Sequence, residues 1–594
     1  MCDKPVVPLT RSGSLGYEAP MQKMKDSKIL SEVALGNVPP DLAIVHGTLF
    51  NAHTGEFIPG QSIWIKGKRI AYVGPDHAFN RKGGVKVIDV AGMVLLPGLI
   101  DGHTHLSTSL SGIDEFIRYV IPGGLTTVIA ETVELATIVG KDGIDYFIKG
   151  FEGQPIRFYY TAPPLCGLTP VEESMVPSND KLLPLLKDPR CVGLGEIYWG
   201  NLLLKGKQGR RVRELARLAL GLGKRVEGHT AGASGRKLQS YTSFGVSSCH
   251  EPITAEEVLE RLRLGYWVMV RQGSIRKELP GIQGIFQRQI DFRRLILSTD
   301  GVDPKGLIEE GYLDAALRTA LQLGVPPALA YQMVTINVAE HFRLDHLIGS
   351  LSPGKMADIV VIPSRQEFKP QLVLVGGKTV FKDGKLTIRP RKVSCPKYML
   401  RTVKVEGYSL PSPPKEGKVR VMESVTDLVT RESIVDLDDA EASQDIIMAL
   451  ALDRLHSTQA FMGFLKGFGL KQGAFGSTMS WDSPDLIVLG CDGVSVKTAI
   501  ARLKETGGGV VHAIGHEIVS ELPAPVCGVL SVHSVERVRK EMGQIEETLR
   551  NAGVKVERPI LTISTLSAAA IPHLRITHHG YVRLKDRKVL SCRV

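Results

Sequence analysis

The sequence predicts an α/β protein built around a (β/α)8 TIM-type barrel, with a small composite β-domain and an additional C-terminal α/β domain. Three observations carry this. Between Leu95 and about Phe342, short apolar segments alternate with longer segments of helical period, the mark of βα repeats around a parallel sheet. Eight strand candidates lie there, at 94–106, 126–131, 157–163, 191–197, 225–232, 245–250, 266–272 and 294–300. Eight strands close a barrel, and a span of about 250 residues is typical of one. On both sides of this region the pattern changes to short strands and turns.

The first barrel strand has no apolar/polar alternation over Val94–Leu106, so it is expected to be buried on both faces. Helices are expected in the intervals, among them Arg210–Leu222, Thr254–Leu264 and Tyr312–Leu323. Before the barrel, Ala43–Phe50, Gln61–Lys66, Arg69–Val73 and Val85–Asp89 alternate well enough for a small antiparallel sheet. After it, Gly354–Ile362, Leu372–Val375 and Lys378–Phe381 are expected to complete that sheet. The resulting division is 1–40 as a polar N-terminal extension or packing arm, 41–93 plus 346–395 as the composite β-domain, and 94–345 as the barrel. A Pro- and Lys-rich stretch, Leu410–Gly417, reads as a linker within a third region, 396–594. That region mixes strands (Leu486–Leu489, Gly509–His512) with helices (Ser495–Glu505, Ser534–Asn551).

Composition narrows the function classes. Hydrophobic content of 43% and charged content of 23% are ordinary for a globular enzyme. The net charge of +11 invites an anionic partner, but Lys and Arg are scattered and the densest cluster, Arg389–Lys392, is short. Solvated surface charge is the expectation, with no nucleic-acid partner. The eight cysteines are dispersed without a Cys-x-x-Cys pair, which argues against a thiolate zinc site or a disulfide framework and for a reducing compartment. The N-terminus lacks a basic-then-apolar signal, and no apolar run reaches the roughly 20 residues needed to span a bilayer. A cytoplasmic protein without a membrane partner is expected.

The chemistry gathers at strand ends. In a barrel the C-terminal ends of the strands converge on the active site. Strand 1 ends in His103 and His105, which an extended strand points to one side. Strand 4 ends in Glu196, strand 5 in His229, strand 6 in His250 and strand 8 in Asp300. Six ligands exceed the four that one tetrahedral ion takes. The set suits two divalent transition-metal ions bridged by Glu196, with His103, His105 and Asp300 on one and His229 and His250 on the other. All-nitrogen/oxygen ligation fits Mn2+, Fe2+ or Zn2+ alike. A hydroxide between such ions is a competent nucleophile near neutral pH. Asp300 is the expected proton shuttle to the leaving group.

These residues resemble a family. Pro97-Gly-Leu-Ile-Asp-Gly-His-Thr-His105 is similar to the strand-1 signature of the amidohydrolase superfamily, and Leu351–Val360 to its return to the small β-domain. The more specific resemblance is to bacterial adenine deaminases. It rests on Gly193-Leu-Gly-Glu196, where that family uses Glu in place of a modified Lys, and on Gly228–Gly235, His250-Glu251, Thr254–Glu257, Val270–Ser274 and Gly463–Lys471. It covers roughly residues 40 to 590. The resemblance implies metal-dependent hydrolytic deamination of adenine or a related 6-substituted purine, with release of ammonia, by a homo-oligomer for which a dimer is expected. Glu251 is then a second acid/base or a group orienting His250. Arg271 and Ser274 are candidates for substrate contact, as are Ser107, and Trp481 and Asp482 if the third domain covers the barrel mouth.

The departures fall around the substrate. Where such enzymes read His-x-His-x-Glu-Ser, this chain has Ser107 in place of the acid. A family Asp-Pro-His-Glu run is Glu131-Thr-Val-Glu134, Thr-Asp-Asp is Thr299-Asp-Gly301, and His-Asp-Ser-His-Asn is Trp481-Asp-Ser-Pro-Asp485. The six ligands survive while polar residues around the substrate do not, so retained hydrolysis with an altered or relaxed substrate is the expectation. The alternative is hydrolysis of a cyclic amide or other N-heterocycle at the same two-metal site. A catalytically silent scaffold is disfavoured by the intact ligand set.

Overall fold

The computed structural model describes residues 20–76, 84–456, 459–571 and 573–594; expectations for residues 1–19 of the N-terminal extension lie outside them. Eight parallel strands form the barrel: Leu99–His105, Leu125–Glu131, Arg157–Ala162, Cys191–Tyr198, Arg225–His229, Ser248–Cys249, Trp267–Arg271 and Leu295–Ser298. The Ser247 N–H donates to Val226 O at 2.9 Å, joining the fifth strand to the sixth. The Asp300 N–H donates to His103 O at 3.1 Å, joining the eighth to the first. The expected helices are present as Gly206–Gly221, Ala255–Arg263 and Leu313–Gln322, the second capped by Thr254.

Two expectations are corrected. The run 94–106 is two strands, not one. Val94–Pro97 pairs antiparallel with Ile359–Ile362 in the small sheet, whereas Leu99–His105 enters the barrel. The break falls at Gly98, where a Cβ would lie 2.2 Å from Thr126 Oγ1, so only glycine lets the chain pass. One apolar stretch therefore serves two buried sheets, which explains its lack of alternation. The small sheet, expected to be antiparallel, is mixed. Its order is 385–386, 378–382, 372–375, 359–362, 94–97, 42–51, 56–66 and 69–75, and Leu42–Asn51 runs parallel to both Val94–Pro97 and Lys86–Asp89.

Barrel and small sheet are tied by a buried ion pair between Arg157, on the third barrel strand, and Asp358, whose Oδ1 also accepts the Gly376 N–H at 2.7 Å. The N-terminal helix Pro20–Ala34 packs Leu30 and Val33 against Ala43, Val45, Trp64 and Ala71. Among the described residues no helix is long and apolar enough to cross a membrane.

The C-terminal region holds an eight-stranded sheet with the helices Gly493–Thr506 and Val535–Asn551, and a three-stranded sheet over 574–590. It lies over the C-terminal ends of the barrel strands. The Ser531 N–H donates to Leu110 O at 2.8 Å, beyond strand 1, and Arg558 Nη1 donates to Ser274 O at 2.6 Å, beyond strand 7. Val526, Cys527, Val529, Leu530 and Val535 join the same hydrophobic core as the barrel.

Candidate metal centre

Close strand packing positions the ligands. Glu196 and His229 each follow a glycine that its neighbours require: a Cβ on Gly195 would lie 2.7 Å from Glu227 Cβ, and one on Gly228 would lie 2.7 Å from Ser248 O. The first and eighth strands are joined beneath their ligands by Asp101, whose Oδ2 accepts the Thr299 hydroxyl at 2.6 Å. Asp300 adopts a left-handed φ of 56° at its strand end.

All six sequence-predicted ligand residues come together. His103 Nε2 is 3.2 Å from Asp300 Oδ1, and His105 Nε2 is 3.6 Å from both Asp300 Oδ1 and Glu196 Oε1. Glu196 Oε2 is 2.9 Å from His250 Nε2. One carboxylate oxygen of Glu196 thus faces each histidine group, the disposition a bridge requires. The grouping differs in one respect from expectation. His250 stands between the two sets, clustering with His103 and Asp300 as well as with Glu196 and His229, and its ring stacks on His103 at 4.1 Å.

The donor set fits divalent cations. Six acidic side chains, Glu131, Glu134, Glu196, Glu251, Glu278 and Asp300, gather here, with Arg271 paired to Glu251, Glu278 and Asp300 and Arg276 close to the same group. Glu134 Oε2 is buried without a hydrogen-bond partner. Such an excess of buried carboxylate is stable when cations compensate it. Burial opposes ionisation of Glu196 and Asp300. Nonetheless His229 and His250 hold the first carboxyl, and His103 and Arg271 the second, well below the usual carboxylate range. Burial and the neighbouring His103 push His250 down, which keeps its imidazole in the neutral form that ligates metal.

The other candidates take distinct places. Glu251 Oε1 is 3.2 Å from His229 Nε2 and 3.4 Å from His250 Nε2, and it pairs with Arg271. Arg271 is itself buried and held by Glu278 at 2.7 Å, and it reaches Asp300 Oδ2 at 3.3 Å, so it fixes the carboxylates of the centre. Ser274 Oγ accepts the Asp303 N–H at 2.9 Å, which shapes the loop after strand 8. Ser107 is buried in a 3-10 turn directly after strand 1. Trp481 is held by its main chain, its N–H donating to Ser564 O at 2.9 Å. Asp482 does reach the barrel: it accepts the Tyr198 hydroxyl at 3.0 Å, and the Tyr198 ring lies edge-on to His229 at 5.0 Å.

Sequence reasoning missed the orienting groups. Glu131 Oε1 lies 3.3 Å from His103 Nδ1, and Glu134 Oε1 lies 2.7 Å from His105 Nδ1. The available signal was an acid closing the run Val128-Ile-Ala-Glu131 at the end of the strand Leu125–Glu131. Burial disfavours the charged form of His105, yet Glu134 raises its pKa to about 9, so metal and proton compete for a strongly basic imidazole. Glu134→Gln keeps the shape and removes that charge. It is expected to weaken metal affinity about 10–100-fold, measured by chelator competition; unchanged affinity would remove Glu134 from this role.

A parallel barrel whose strand ends carry this histidine and carboxylate set defines an amidohydrolase. Residues 94–380 match the amidohydrolase family model, and residues 423–588 match the adenine deaminase C-terminal domain. The chain is 32% identical over 580 residues to the adenine deaminase of Archaeoglobus fulgidus, covering 96% of this chain and 99% of that one. It is 32% identical to an adenine deaminase of Clostridium botulinum, covering 94% of this chain and 96% of that one. The chain belongs to the adenine deaminase family, and it is a hydrolase of carbon–nitrogen bonds other than peptide bonds.

Proposed function

We propose that this chain hydrolytically deaminates adenine, or a closely related 6-substituted purine, at a centre of two divalent transition-metal ions (Mn2+, Fe2+ or Zn2+). The observation that carries the reading is similarity to adenine deaminases along nearly the whole chain, combined with six candidate ligand side chains gathered at one end of the barrel. Bound there, such ions lower the pKa of water enough to supply a nucleophile near neutral pH. His103, His105, Glu196, His229, His250 and Asp300 would hold them. Asp300, ionised under the influence of His103 and Arg271, accepts the proton of the attacking water and delivers it to the departing amine. Glu251, clamped by Arg271, positions His229 and His250.

The departures from the family pattern have local causes. Gly301 has φ 100°, and a Cβ there would meet Thr108 Oγ1 at 2.4 Å, so the family's aspartate has no room. Val133 packs against the apolar core, and Asp485 is spent on His578 at 2.7 Å. A purine site with fewer polar partners discriminates less among analogues. Ammonia release should therefore be measured with metal-loaded enzyme on adenine, 6-substituted purines and cyclic amides. Turnover of the purines, with selectivity for adenine relaxed, is expected. Adenine turned over at ordinary efficiency and high selectivity would overturn the relaxed-substrate part. Cyclic-amide hydrolysis without ammonia from any purine would overturn the deaminase.

A further inference from the structure

A second group of ligand-type side chains lies between the barrel and the C-terminal domain. Glu172 comes from the helix Pro170–Met175, beyond the third barrel strand. His578 and His579 form the turn between the strands Leu574–Thr577 and Gly580–Arg583. One ligand atom from each residue lies within 4.8 Å of the other two. None of the three belongs to the hydrolytic centre.

Ordinary structural roles leave part of this group unexplained. Glu172 closes a capping box, but that occupies Oε2 alone, which accepts the Leu168 and Thr169 N–H groups at 2.7 and 3.0 Å. Its Oε1 is buried with no hydrogen-bond partner, and so is Nε2 of His579. His578 Nδ1 pairs with Asp485 Oδ1 at 2.7 Å, and the His578 backbone N–H donates to Asp485 Oδ2 at 3.0 Å. A fully buried carboxylate on one ring nitrogen orients the other as a ligand, an arrangement typical of metal-bound histidine.

We propose that Glu172, His578 and His579 bind a divalent transition-metal ion, with zinc the best match. Two imidazoles and one carboxylate suit tetrahedral Zn2+, with water completing the shell. The ion would pin the loop after barrel strand 3 to the C-terminal hairpin. It would also steady the segment Trp481–Asp485, because Asp485 orients His578 while Asp482 accepts the Tyr198 hydroxyl beside His229.

The test is metal stoichiometry. Full-length protein is loaded with Zn2+, freed of excess by gel filtration and analysed by mass spectrometry for metal per chain. The double variant His578→Ala/His579→Ala is expected to hold one equivalent fewer than wild type; equal stoichiometry would overturn the site. The same difference is expected in a His103→Ala background, where the barrel centre is disabled, which keeps the two sites distinguishable. Glu172→Gln leaves the hairpin untouched and retains the carboxylate's shape. In a competition titration with a chromophoric chelator, it should weaken one equivalent at least about tenfold; an unchanged titration would equally overturn the proposal.

Discussion

Asp300→Asn is expected to lower kcat for ammonia release by about 10²–10⁴-fold, the range that a positioned proton-transfer group contributes, with a smaller change in KM. The substitution is conservative in every respect but the relevant one. Position 300 has φ 56°, a left-handed conformation that Asn tolerates as well as Asp does, so the turn after strand 8 is retained. The amide keeps one oxygen at the place where Oδ1 now lies 3.2 Å from His103 and 3.6 Å from His105. What is lost is a carboxylate that His103 and Arg271 keep ionised against the cost of burial, and with it the capacity to take up a proton. Metal content measured beside the kinetics separates the two roles of Asp300. Activity that falls while metal is retained identifies proton transfer, and activity that falls in step with metal identifies ligation alone. Activity within a factor of ten of wild type would remove Asp300 from the chemistry.

Much of this centre was legible in the sequence because each candidate ligand lies at or near the C-terminal end of a short strand. A buried run that closes in His103-Thr-His105, and others that close in Glu196, His229, His250 and Asp300, place six side chains at one mouth once eight strands are counted. Periodicity also gave the main helices to within a few residues, since Thr254 and Ser534 mark their own N-caps. The misses have a common cause: they depend on which distant residue stands opposite. Glu131 and Glu134 read as a departure from a family motif, and only the pairing of the first and second strands turns them toward His103 and His105. Arg271 reads from the sequence as a substrate-contact candidate, and its pairing with Glu251, Glu278 and Asp300 was not legible there. The break at Gly98 was hidden because both sheets it joins demand apolar residues, so hydropathy is continuous across a change of partner. The Glu172, His578 and His579 group was invisible for the same reason, its members being contributed by two different domains.

His103→Ala should abolish metal retention at the barrel centre and turnover of every substrate. His103 is 3% exposed and is tied on several sides: Nδ1 lies 3.3 Å from Glu131, Nε2 lies 3.2 Å from Asp300, and its ring stacks on His250. Its removal takes away a donor and also leaves two buried carboxylates facing a gap. Breaking a buried charge pair in this way costs about 3–5 kcal/mol, so lost activity alone would not separate a missing ligand from a damaged fold. Partial compensation remains, since the Thr161 hydroxyl still donates to Glu131 at 2.5 Å and Arg271 still reaches Asp300. A folded but less stable variant is therefore expected, identified by circular dichroism and a lowered melting temperature. Chelation then supplies the discriminating comparison. Stripped wild type should regain ammonia release when Mn2+ is restored, whereas the folded variant should not at any metal concentration that the Glu134→Gln protein can use. That contrast follows from the proposed ligand set: Glu134 faces the far nitrogen of His105 and would only weaken binding, whereas His103 would contribute a donor atom itself. Full activity in folded His103→Ala protein would overturn the assignment of the whole centre.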